Sequence, residues 1–145
     1  MIALLQRVSS ASVEIENTEV AAIANGLLVL VGIEKNDSAQ QVQRLVERLL
    51  NYRVFADAAG KMNLSLRQTE GGIILVPQFT LAADTSSGNR PGFSTAAEPE
   101  LGRTLFKQLV ETIKLSYPQA QCGKFGADMQ VHLINDGPVT FSLQV

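Results

Sequence analysis

The 145-residue chain has no tryptophan, one cysteine and one histidine, and each shortage removes a class of function. A lone thiol, Cys122, cannot close an internal disulfide, so a disulfide-stapled secreted scaffold is excluded and Cys122 reads as a spectator thiol in a reducing compartment. His132 stands in a strand-like segment with no carboxylate or cysteine at ligand spacing. A zinc site is therefore not expected, and a Ser-His-Asp arrangement would have to be built on that one imidazole. A glycine-rich phosphate loop is also lacking, which sets aside nucleotide hydrolysis and dinucleotide cofactors, so neither a cofactor nor a metal is expected. The longest apolar run, Leu27 to Val31 and on through Ile33, falls far short of the ~20 residues of a membrane span, and Met1-Ile2-Ala3-Leu4-Leu5 reaches Arg7 too soon for a signal peptide. A cytoplasmic protein with no membrane attachment is the expectation. Charge is sparse at 18% of residues, with 12 Lys and Arg against 14 Asp and Glu and a formal net charge of -2. Such a surface cannot coat nucleic acid by neutralising many phosphates, so DNA is not an expected partner and any RNA contact must be local.

What is present is a globular composition, 46% hydrophobic. A chain of this length buries about two-thirds of its unfolded surface, enough for one core, and a single domain over residues 1–145 is expected. The first 34 residues read as strands: Val13 and Ile15 alternate with polar neighbours, and Gly26 to Ile33 is a continuous apolar run suited to a strand covered on both faces. Ser38 followed by Gln41 has the form of a capping box, and Val42, Leu45, Val46, Leu49 and Leu50 then recur at helical spacing, predicting a helix over 38–51. A second helix starts near Pro99 and buries Leu101, Leu105, Leu109 and Ile113 until Pro118 stops it. Gly72 to Phe79 is a β-type run, and residues 84–95 form a polar loop without periodicity. Near the end, Val131 and Leu133 alternate with polar residues, Asn135-Asp136-Gly137-Pro138 reads as a turn, and Val139, Phe141, Leu143 and Val145 complete a second alternating strand. Strands around two long helices without a βαβ rhythm make the fold class α+β.

Two segments carry conformationally special residues at strand ends. One is Val76-Pro77-Gln78-Phe79-Thr80-Leu81-Ala82-Ala83-Asp84, the other Asn135-Asp136-Gly137-Pro138-Val139-Thr140-Phe141. Spacing alone leaves both open to a plain reading as a strand terminus and a hairpin turn.

Gln78-Phe79-Thr80-Leu81 and the Asn135 to Phe141 segment, together with Gly123-Lys124-Phe125-Gly126-Ala127-Asp128-Met129 and the opening Gln6-Arg7-Val8, resemble the bacterial D-aminoacyl-tRNA deacylases, in order along the whole chain. The resemblance implies that family's fold, curved and mostly antiparallel sheets packed with two long helices. It also implies a homodimer acting on the 3′ end of an aminoacyl-tRNA, cutting the ester of a D-amino acid and, by the same logic, of glycine. By the same resemblance Gly137 and Pro138 form a cis pair that enters the partner's pocket and rejects L-amino acids. Gln78, Phe79 and Thr80 lie along the reacting ester, Phe125 and Met129 line an adenine pocket, and Arg7 steadies the Gly-Pro loop. Pro77 departs from the pattern, since most relatives carry serine there; it excludes a serine hydroxyl from the mechanism and matches an animal-type branch, whereas Phe79 and Asp136-Gly137-Pro138-Val139 keep the D-specific form. The competing readings are an editing deacylase for a mischarged L-aminoacyl-tRNA and a non-catalytic dimeric RNA-binding module of the same fold.

Overall fold

The computed structural model describes residues 1–145. In chain order it has strands β1 (Ile2–Ile15), β2 (Thr18–Ile23) and β3 (Gly26–Gly32), helix α1 (Ala39–Asn51), a small hairpin of β4 (Arg53–Ala56) and β5 (Met62–Ser65), a single helical turn α2 (Leu66–Thr69), and β6 (Gly72–Pro77). A 3-10 turn (Phe79–Ala82), the long helix α3 (Pro99–Ser116), β7 (Gln121–Cys122) and β8 (Gln130–Gln144) complete it. The class is α+β, as expected. The hairpin β4–β5, α2 and β7 are too short to show a period and have no counterpart in the sequence reading.

One mixed six-stranded sheet organises the molecule, running β2-β1-β3-β6-β7 with β8 on β1. β1 is antiparallel to β2, β3 and β8, whereas β3, β6 and β7 run parallel to one another. β3 is buried along nearly its whole length, as its unbroken apolar run demanded. Alternation then divides side chains between two cores. Leu27, Val29, Val31, Ile73 and Leu75 join the main one, under α1 and α3, while Leu28, Ile74 and Val76 join a smaller one on the other face with Val8, Ala11 and Val13.

Both long helices sit where periodicity put them. Ser38 caps α1 with the expected box, the Gln41 side chain accepting from the Ser38 amide at 3.0 Å, and Val42, Leu45, Val46, Leu49 and Leu50 are its buried face. α3 opens on Pro99 and buries Leu105, Phe106, Leu109 and Ile113. Its far end is tied to the sheet by Tyr117, whose buried hydroxyl donates to Gly71 O at 2.6 Å. Burial also raises the Tyr117 pKa above its ordinary value, so the phenol stays a donor.

Two expectations need correction. The strand expected to reach Phe79 ends at Pro77, because the chain turns into the 3-10 segment at once. More consequentially, Asn135-Asp136-Gly137-Pro138 is not the turn of a hairpin. β8 runs straight through it, and both halves pair with β1: residues 140–144 with 2–6, and 130–135 with 8–14. Only Arg7 separates Gln6 from Val8 on β1, so Asp136 to Val139 bulge outward from the ladder.

Candidate active site

β6 delivers one wall of the site. The ladder with β3 extends one residue past Pro77, the Gln78 amide donating to Val31 O at 2.7 Å, and then the backbone breaks into the 3-10 turn. Gln78 is the N-cap of that turn but its side chain caps nothing, leaving the amides of Phe79 and Thr80 without an acceptor inside their own helix. Its Nε2 donates instead to Thr80 Oγ1 at 2.5 Å. Phe79 is 59% exposed and leans on Phe93, with ring centroids 5.2 Å apart.

Across from this wall, residues 125–129 and the first turns of α3 complete a cleft of about 480 Å³ that brings Pro77, Gln78 and Phe79 together with Phe125 and Met129. Most of its lining is apolar, and Asp128 is the charged side chain on it. A concavity of about 670 Å³ lies on the β1, β2 and β8 face around Ser10, Glu19 and His132, but it is more open to solvent. Enclosure and convergent polar groups identify a small-molecule site better than volume does, and the smaller cleft has both. His132 stands outside that cleft, 60% exposed, with Glu14 Oε1 3.8 Å from its Nε2. The sequence reading saw no carboxylate near His132 because Glu14 arrives from a different strand.

The second group of predicted residues is gathered on the bulge of β8. Arg7, directly opposite, reaches across it: Nε donates to Asp136 O at 3.1 Å and pairs with Asp136 Oδ2 at 3.0 Å, while Nη1 donates to Val54 O at 2.7 Å. Asn135 closes the other side, its Oδ1 accepting from the Val139 amide at 2.6 Å and its Nδ2 donating to Thr140 Oγ1 at 2.9 Å. Between these clamps the Gly137–Pro138 peptide is cis, and Gly137 has φ of +133°, open to glycine and hostile to other residues. Both residues are exposed, and neither lines the cleft of its own chain.

The structure thus brings Gln78, Phe79, Phe125 and Met129 into one cleft, with Thr80 beside Gln78 just outside its lining, and sets Arg7, Gly137 and Pro138 apart on the bulge. Sequence reasoning missed Asn135 as a clamp and Phe93 as the partner of Phe79. For Asn135 a signal existed, since Asn side chains accept from nearby downstream amides in turns; for Phe93 there was none, because the contact closes a loop.

Comparison with known proteins bears on this arrangement. The family model described as D-Tyr-tRNA(Tyr) deacylase matches residues 4–144. A protein of Pseudomonas putida strain KT2440 named D-aminoacyl-tRNA deacylase is 59% identical over 145 residues, covering all of both chains, and one of the same name from Pseudoalteromonas atlantica is 56% identical over the same span. Among solved structures, one titled c-Myc DNA Unwinding Element Binding Protein superposes with a TM-score of 0.95 at 37% identity, covering 100% of this chain and 99% of that one. A second, titled as a probable eukaryotic D-amino acid tRNA deacylase, has a TM-score of 0.84 over 98% of both chains; at 17% identity it shows a shared fold.

Proposed function

The chain belongs to the D-Tyr-tRNA(Tyr) deacylase family, and from that premise we propose that its two residue groups act across a homodimer, one holding the substrate and the other rejecting the wrong hand. The enzyme is a hydrolase that cleaves the ester of a D-aminoacyl-tRNA, as its family and curated relatives do. A cytoplasmic setting follows from such a substrate.

In this reading the terminal adenosine lies against Phe125 and Met129, and the ester lies along Gln78, Phe79 and Thr80. Water attacks the ester carbon, its oxygen forms the new C–O bond, the bond to the ribose oxygen breaks, and the released proton passes to that oxygen with help from the vicinal 2′-hydroxyl. The amides of Phe79 and Thr80, free of helical partners, receive the developing oxyanion. A preorganised donor of this kind contributes about 3–4 kcal/mol to a transition state. Thr80 Oγ1 already accepts from Gln78 and has no basic partner to activate it, which favours the backbone role over a threonine nucleophile.

One observation carries the cross-subunit part. Gly137 and Pro138 are exposed on a bulge clamped from both sides by Arg7 and Asn135, yet lie outside their own chain's cleft. A rigid main-chain projection of this kind suits the cleft of a second copy, where its carbonyls would meet an L side chain and leave a D side chain or glycine room. The outer edge of β8, which has no strand partner beyond β1, supports pairing between copies.

Initial rates on D-tyrosyl-, L-tyrosyl- and glycyl-tRNA test the reading. We expect the first and third to be cleaved and the second spared; turnover of L-tyrosyl-tRNA would favour the editing alternative that Pro77 raises, and resistance of glycyl-tRNA would count against steric exclusion. Thr80→Ala separates the two mechanisms in single turnover: the backbone role predicts a loss within roughly a hundredfold, a nucleophile a loss on the order of 10⁴-fold or more. The neighbour with the DNA-related title supports a second, nucleic-acid-binding reading. The net charge of -2 argues against it, and fluorescence anisotropy with duplex DNA at physiological salt is expected to give no binding at micromolar protein.

A further inference from the structure

Arg103 follows Gly102 in the early turns of α3, and Gly102 lines the cleft. A Cβ on Gly102 would lie 3.1 Å from Phe125 Cζ, so the ring rests directly on the helix backbone. Over that same ring sits the Arg103 guanidinium, its central carbon 5.2 Å from the ring centroid. The side chain is exposed, and none of the ion pairs in the structure includes it, although Asp128 stands on the same cleft wall.

A guanidinium placed over a ring uses its π-face for the cation–π contact and keeps its in-plane N–H donors for another group. Arg103 is not itself part of the cleft lining, but its Nη2 lies 3.7 Å from where a Cβ on Gly126, a lining residue, would stand. That edge beside the cleft matches the oxygens of a phosphate, which arginine binds in bidentate fashion. The rest of the surface raises the value of such a cation: with a net charge of -2 the chain has no general attraction for RNA, so phosphate contacts must come from individually fixed side chains.

We propose that Arg103 binds the phosphodiester on the 5′ side of the terminal adenosine of the aminoacyl-tRNA, fixing the nucleotide whose base packs on Phe125. The inference rests on the function proposed above and adds a substrate-binding residue to it. The contact is made to the phosphate and not to the ester, so its contribution falls on KM and not on kcat.

The test uses two minimal substrates, 3′-O-D-tyrosyl-adenosine and its 5′-phosphorylated counterpart, alongside D-tyrosyl-tRNA. Arg103→Gln is expected to raise KM about tenfold for the two substrates that carry the phosphate, in line with loss of one charge-assisted contact. It should leave kcat within about twofold and the unphosphorylated substrate unaffected. It should also flatten the dependence of log(kcat/KM) on log[salt] by roughly 0.7, the slope of one phosphate contact on a single strand. Arg103→Lys should keep the salt slope and recover part of the KM. An equal loss on both minimal substrates would reassign Arg103 to propping Phe125, and no loss on either would remove it from the site; both overturn the proposal. Should the wild-type protein leave D-tyrosyl-tRNA intact, the activity assignment falls separately. The salt slope for binding uncharged tRNA by anisotropy, flattened or unchanged in Arg103→Gln, then still decides for or against the phosphate contact.

Discussion

At Gly137 an added Cβ would come within 2.7 Å of Val139 Cγ2 and 3.1 Å of Arg7 Nη2, on a backbone with φ of +133°. Gly137→Ala is therefore expected to destabilise the protein by about 1–3 kcal/mol, the usual cost of forcing a side chain into such a region. A urea unfolding curve checks this, and a midpoint identical to that of the parent would mean the bulge is more pliant than its clamps imply. His132 offers the opposite case. Lying outside the cleft with Glu14 3.8 Å away, it has no route to a reacting ester, and His132→Asn should hold the deacylation rate within about twofold, whereas loss of a general acid or base removes 10²–10⁴-fold. Asp57 bears on pH. It accepts from Asn63 Nδ2 at 2.7 Å and from the amides of Ala59 and Lys61, and these bonds hold its pKa below the ordinary 3.8. A depressed folded pKa means stabilisation present above the unfolded value and lost as pH falls through the folded one. The Ala59 and Lys61 amide signals should accordingly titrate with a midpoint below the 3.8 of an ordinary aspartate, which an NMR titration would follow, and a midpoint at or above it would count against these bonds.

Element by element, legibility tracked the range of the interactions that decide each one. α1 and α3 were visible because their apolar stripes and their start signals, the Ser38 box and Pro99, are local. β8 was visible as β and misread in its connection. The apolar alternation at Val131 and Leu133, then at Val139, Phe141 and Leu143, fits two strands of a hairpin as well as one strand with a bulge. What chose between them is the 14-residue length of β1, which offers partners to both halves at once. Tyr117 shows the same dependence on distant chain, since its hydroxyl bonds Gly71 and Leu66, more than 40 residues upstream. Tyr117→Phe leaves the Gly71 carbonyl without this donor and should cost about 1–3 kcal/mol in a thermal or urea melt, with little effect on deacylation.

On the scale of the whole molecule, one sheet separates two cores, and the cleft opens where the β6 end, the start of α3 and residues 125–129 meet. The exposed Gly137–Pro138 bulge and the free edge of β8 lead us to expect twice the chain mass in light scattering at micromolar concentration. A monomer with full chiral discrimination would remove the cross-subunit gate. The sequence by itself determined the α+β class, both long helices, the doubly covered β3 and the residue types at the site, because helical and strand periodicity and capping act over a few neighbouring residues. Only the tertiary structure decided that Gln78 and Phe79 share a cleft with Phe125 and Met129, that His132 is not among them, and that Arg7 holds the carbonyl of Asp136, 129 residues away. Those outcomes depend on which strands pair and in what register, a choice made by packing of the whole chain that no short window of residues contains.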